Sequence, residues 1–172
     1  ERAVKALRSG GAIDEEDPWS AGAAIDLGVP ALIPDDYVPD VTLRLTLYKR
    51  ISSAASPADL RELKVEMIDR FALLPERADQ LFTLAGLRQR CEHIGIRQIK
   101  AGAGSARIEF KPKADVDPAA LIAFIQSNPR KHRFDGATTI VAQWDQESPA
   151  GRLAAVIALL DQLHPASAEA TA

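Results

Sequence analysis

SPADLRELKVEMIDRFALLPERADQLFTLAGLRQRC, residues 56–91, is the stretch whose periodicity decides the fold. Two helical patterns follow one another, separated only by the Leu73-Leu74-Pro75 corner. Ser56 is a good N-cap, Pro57 suits the first turn, and Asp59 places negative charge at the positive end of the helix dipole. Leu60, Leu63, Met67 and Phe71 recur as one apolar stripe at helical period. Glu62, Glu66, Asp69 and Arg70 fall on the opposite arc. Pro75-Glu76 opens the second helix, which carries two apolar rows. Ala78, Leu81, Phe82 and Ala85 form one, and Leu84, Leu87 and Cys91 the other. A helix apolar on two sides has neighbours on both, so the pair is the hub of the domain. Leu63, Met67, Phe71, Leu81 and Leu84 are expected to be buried at its junction.

Upstream, Asp40 caps a helix over Val41–Ala54, with Leu43, Leu47, Ile51 and Ala54 on one side and Val41, Leu45 and Tyr48 as a second row. Pro30, Pro34 and Pro39 exclude regular helix from Val29 to Asp40. Leu32, Ile33, Tyr37 and Val38 imply that this extended segment packs. Ala24–Leu27 is compatible with a short strand. Earlier still, Glu1–Arg8 reads as a helix end stopped by Gly10-Gly11, and the chain to Ala24 as a linker. Trp19 stands out there as a packing anchor or a docking residue.

Downstream, Gly95 closes the hub. Ile96–Lys100 and Ala106–Lys111 form a hairpin around Gly102–Ser105, and Arg133–Asp135 with Thr138–Trp144 a second around Asp135-Gly136. Asp117-Pro118 starts a helix with Leu121, Ile122 and Ile125 inward, ended by Pro129. Ser148-Pro149 starts another with Leu153, Val156, Ile157, Leu160 and Leu163 inward, ended by Pro165. The order predicts an α+β domain, helices packed on a small antiparallel sheet, preceded by an extended linker. The expected divisions are residues 1–8 for the end of a preceding helix, 9–24 for the linker, 25–165 for the domain and 166–172 for a frayed tail.

The 172 residues suit one domain, and 47% apolar content supports a core. The single Cys91 excludes an internal disulfide. No apolar run reaches the roughly 18 residues of a membrane span. No secretory signal is visible, and a start inside a helical pattern without Met reads as a piece of something longer. Residues 1–40 hold three Lys/Arg against nine Asp/Glu, a net of −6, and residues 41–172 hold eighteen against fifteen, a net of +3. Mixed surface charge, rather than a concentrated basic face, is the reading.

Catalytic motifs are sparse. There is no phosphate loop, so no ATP binding or hydrolysis is expected of this chain. The Gly102–Ser105 turn lacks the Lys-Ser/Thr and helix start a phosphate cradle needs. His93, His132 and His164 lack ligand spacing to each other or to Cys91, so no metal is expected. Cys91 in an apolar row reads as a buried inert thiol. Asp35-Asp36 between prolines reads as a turn rather than an acid/base couple.

LRLTLYKRISSA, LKVEMIDRFALLPE and LRQRCEHIGIRQIK, in this order, resemble the C-terminal domain of bacterial transcription-repair coupling factors. PALIPDDYVPD, Arg107–Phe110 and Phe134-Asp135-Gly136 fit as well, and the likeness runs from about Ile25 to the last helix. Ala72 stands where the family often has Gly. The resemblance implies a parent protein that is an ATP- and Mg-dependent double-stranded DNA translocase of the cytoplasm. That parent displaces stalled RNA polymerase and recruits UvrA to nucleotide excision repair. For this piece it implies a non-catalytic, cofactor-free clamp that packs on the UvrB-like N-terminal module and masks the UvrA-binding surface. Glu1–Arg8 becomes the last helix of the translocase module.

The resemblance also assigns an interdomain contact to Glu66, Asp69 and Arg70. Their spacing independently makes a small charged face, equally readable as an exposed intrahelical ion pair. The alternative is a nucleic-acid or RNA-polymerase contact module using Arg44, Lys49, Arg50, Arg88, Arg90 and Arg97. An enzyme would need a pocket of convergent titratable groups.

Overall fold

The computed structural model describes residues 22–165. The expected helix end at Glu1–Arg8, Trp19, the linker as far as residue 21 and the tail from Ala166 lie outside the described residues. Helix starts follow the caps read from the sequence. The Asp40 carboxylate accepts from Leu43 N–H at the start of α1 (Val41–Ser53), and Ser56 Oγ from Asp59 N–H at the start of α2 (Pro57–Phe71). α3 (Glu76–Ile94) begins at Pro75 with Glu76 and Asp79 in its first turn and ends on Gly95. Gly95 has φ 92° and a Cβ there would meet Ala114 Cα at 2.8 Å, so only glycine fits. β1 (Ala24–Asp26), β2 (Ile96–Ala101), β3 (Ser105–Phe110), α4 (Pro118–Ser127), β4 (His132–Phe134), β5 (Thr139–Gln143) and α5 (Pro149–Leu163) complete the described chain.

The sheet runs β1-β2-β3-β5-β4. Both expected hairpins pair antiparallel, and β3 joins them by pairing with β5. β1 adds to the edge in parallel with β2, so the sheet is mixed rather than purely antiparallel. The long passage through α1, α2 and α3 lets the chain return to the same edge in the same direction, which no hairpin can do. One face of the sheet is packed: Ile96, Ile99, Ile108, Phe110 and Ile140 are buried beneath α3, α4 and α5.

α3 lies between two cores. Leu87, Cys91 and Ile94 join the sheet core, whereas Phe82 joins Leu47, Leu63, Met67 and Val38 in the helical core, and Ala78, one turn before Phe82, is fully buried. The two rows of the sequence thus face two different neighbours. The Pro-rich segment packs as expected, with Ile33 and Val38 buried and Leu32 N–H bonded to the Arg77 carbonyl.

Several inward assignments are corrected. Phe71, Leu81 and Leu84 are only half-buried. Phe71 is the last residue of α2 and Phe82 fills the adjoining core position. Ile122 is 50% exposed and Phe124 is buried instead, because α4 rests on the domain along a narrow face. The second row of α1 is divided: Val41 and Leu45 are exposed, whereas Tyr48 packs against the helical core and its hydroxyl accepts from Ile33 N–H at 2.7 Å.

Candidate functional site

The outer face of α2 and the corner that follows it form the candidate site. The Leu60-Leu63-Met67 stripe is buried, which turns Glu66, Asp69 and Arg70 outward on the other side. Glu66 is not a free carboxylate. Arg50 of α1 grips it with two parallel bonds, Nη1 to Oε1 at 2.8 Å and Nη2 to Oε2 at 2.7 Å. Arg70 stands 3.5 Å from the same carboxylate, one helical turn away. The hydrogen bonds from Arg50 hold the Glu66 carboxyl below the usual range and raise the Arg50 guanidinium. Arg70 also lies over the Phe71 ring at 5.1 Å. The sequence expectation of a simple Glu66–Arg70 pair is therefore revised to an Arg50–Glu66–Arg70 triad bridging two helices. Asp69 is exposed beside it and no ion pair or hydrogen bond holds its carboxylate.

The corner is rigidly built. Ala72 has φ 100° and ψ −174°, a region that side-chain-bearing residues rarely occupy. The Tyr37 hydroxyl donates to the Ala72 carbonyl at 2.7 Å and lies 3.3 Å from the Met67 carbonyl. Its ring meets Phe71 edge-on at 5.8 Å. Leu74 turns back to the helical core while Leu73 points outward, 81% exposed. A shallow groove lined by Arg50, Asp59, Glu62 and Glu66 flanks the face between the end of α1 and α2.

The cations of the nucleic-acid alternative are dispersed rather than gathered. Arg44 donates to the Val38 and Pro39 carbonyls, Arg90 pairs with Asp161 and the His164 carbonyl, and Arg97 pairs with Glu109. Arg88 lines a separate apolar groove of ≈ 480 Å³ between Val29, Ala31, Ile51, Leu81 and Leu84. Asp35-Asp36 sit in a turn closed by Tyr37 and Val38 N–H groups on the Pro34 carbonyl. Gly102–Ser105 is a hairpin turn. His93 and His164 approach edge-on at 6.1 Å and His132 stacks on Phe124 at 4.0 Å. Among the described residues, no three His, Cys, Asp or Glu side chains gather as a metal site, and no helix is long and apolar enough to cross a membrane. Cys91 is fully buried, and burial pushes its thiol up to about 12.

Sequence reasoning missed Arg50, which it had counted among cations for a phosphate backbone, and Leu73 and Val65 on the outer face. Arg50 and Glu66 lie too far apart in sequence for any local pairing rule, and only the α1–α2 packing joins them.

The TRCF domain model matches residues 27–121. The chain is 44% identical to the transcription-repair-coupling factor of Escherichia coli strain K12 over 81% of this chain and 12% of that protein. It is 44% identical to that of Haemophilus influenzae over 92% of this chain and 14% of that protein. The Buchnera aphidicola protein of the same name is 30% identical over 80% of this chain and 17% of its own. The chain therefore spans only a small part of these relatives' length. In fold it resembles a crystal structure of the C-terminal domain of transcription-repair coupling factor, with TM-score 0.66 and 18% identity over 85% of this chain and 96% of that one.

Proposed function

The chain belongs to the transcription-repair coupling factor family, and from that premise we propose that it is the regulatory clamp of an ATP-driven DNA translocase. The parent uses ATP and Mg to move on double-stranded DNA and displace stalled RNA polymerase. This domain supplies no catalysis. It docks on the UvrB-like N-terminal module and covers the surface that UvrA needs until polymerase is engaged.

The observation that supports this reading is the ready-made charged face of α2. Glu66 and Arg70 are held in place by Arg50, with Asp69 free beside them. Preorganised charges lose little side-chain freedom on docking, and charge-assisted bonds to a partner are stronger than neutral ones. The same polar character keeps the contact modest. A closed state favoured by a few kcal/mol opens when another event supplies that much.

The test is a UvrA titration of the intact parent carrying Glu66→Ala, Asp69→Ala and Arg70→Ala together, without polymerase. UvrA should bind the variant at least about fivefold more tightly than the repressed wild type, because docking loses about 1–3 kcal/mol. Circular dichroism on the variant of this chain controls for folding. A folded variant whose parent still binds UvrA at the repressed level would overturn the clamp reading.

A further inference from the structure

Away from the outer face of α2, a groove of ≈ 480 Å³ opens where α1, α3 and the Val29–Ala31 stretch come together. Val29, Tyr48, Ile51, Leu81, Leu84 and Ala85 give it apolar walls. A smaller recess shares Ser52, Ala85 and Arg88 with it and carries it on to Gln89 and Glu92, toward the end of α3. Arg88 and Glu92 are the charged residues of this combined lining. Arg88 forms no hydrogen bond or ion pair with the described residues, and its Nε is buried without a partner, as is Gln89 Oε1 beside it. Buried polar atoms left unpaired are costly, so such a groove calls for an occupant.

The described chain begins beside that recess. Gly22 lies so close to α3 that a Cβ there would overlap the Glu92 carboxylate. Trp19 precedes Gly22 by three residues, which span up to about 10 Å when extended. From Glu92 back to Ala85 is seven residues of helix, again about 10 Å of axial rise. An extended chain thus brings the indole to the middle of the groove. Asp14-Glu15-Glu16-Asp17 stand immediately before Pro18-Trp19, and a residue before proline favours extended backbone. Helical side chains lean toward the helix N-terminus, so the Arg88 guanidinium reaches in the direction from which those carboxylates come.

We propose that this groove is the seat of the chain's own preceding segment: the Trp19 indole fills it between α1 and α3, and the Asp17 carboxylate pairs with the Arg88 guanidinium. An indole suits the site because it joins a large apolar body to a single N–H donor. A guanidinium beside its ring adds a further attraction. The acidic run begins beyond Trp19, so its carboxylates pass Arg88 and stay clear of Glu92, which faces Gly22. The contact fixes the direction in which the chain leaves the domain, back along α3 rather than away from it. No residue of α2 lines the groove, so the inference stands apart from the clamp reading.

The test is tryptophan fluorescence of the full chain carrying Trp144→Phe, which leaves Trp19 as its one tryptophan. Trp19 should emit to the blue of the urea-unfolded chain, and acrylamide should quench it several-fold less. Ser52→Phe fills the groove with its own ring and should return Trp19 to the emission and quenching of the unfolded chain. Arg88→Glu meets Asp17 with a like charge and should raise the quenching, and Asp17→Lys added to it should lower the quenching again. Circular dichroism on each variant checks folding. If Ser52→Phe does not fold, the charge swap carries the test, and no response to it then overturns the seat. Trp19 as open to acrylamide in the folded chain as in urea overturns the proposal, and so does protection that survives Ser52→Phe in a folded chain. Protection that falls on dilution gives the indole to a second copy and overturns the intramolecular seat. Release by Ser52→Phe without any response to Arg88→Glu keeps the indole seat and overturns the Asp17–Arg88 pair.

Discussion

Replacing Ala72 by glycine should stabilise the domain, although glycine usually does the opposite. Ala72 sits at φ 100° and ψ −174°, in the region reserved almost wholly for glycine. Holding a side-chain-bearing residue there costs about 1–3 kcal/mol. Its methyl group is exposed, so deleting it forfeits no buried area. Against this, glycine adds unfolded-chain entropy worth about 0.4–1 kcal/mol. The net expectation for Ala72→Gly is a gain of about 0.5–2 kcal/mol. In a domain of this size that raises Tm by about 2–6 °C. The control is Ala123→Gly, the same deletion at an exposed position inside α4, which should lose about 1 kcal/mol. Thermal melts followed by circular dichroism read both. If Ala72→Gly melts at or below the wild-type temperature, the corner is not strained as described.

Two further outcomes are expected. Met67 is fully buried where α2 meets the helical core, so Met67→Ala should cost about 2–5 kcal/mol, and half-buried Phe71→Ala distinctly less; urea melts in which Phe71→Ala is the worse of the two would reverse the placement of the stripe. The buried Cys91 thiol keeps its proton up to about 12, against an ordinary value of 9.0 in the unfolded chain. The folded state then binds the proton more tightly, so this contribution is complete below about pH 9 and is lost as pH rises toward about 12. Urea melts at about pH 8 and about pH 10.5 should show stability falling more steeply in wild type than in Cys91→Ala, and equal slopes would contradict the burial argument.

Much of the architecture was legible locally. Asp40, Ser56, Asp117 and Ser148 cap helices through a bond to a backbone N–H two or three residues on, and the interaction is complete within one turn. The two apolar rows of α3 foretold two neighbours because helical period is a local property. The outward direction of Glu66, Asp69 and Arg70 followed from the same stripe. The resemblance in the EMIDR block led to the family, and it also marked Ala72 as a departure from glycine at the position where φ is positive.

What tertiary structure alone decided concerns pairs distant in sequence. The parallel addition of β1 to β2 depends on where the chain returns after three helices, and a three-residue strand carries no mark of its partner's direction. The Arg50–Glu66 clamp depends on the approach of α1 to α2, and the pinning of Ala72 by Tyr37 spans thirty-five residues. Burial at the ends of stripes was likewise undecided: Phe71 and Ile122 fit the helical period, yet whether another element covers them is set by packing. Periodicity orients a side chain relative to its own helix. Only the arrangement of the other helices and strands determines whether it meets the core, a countercharge or water.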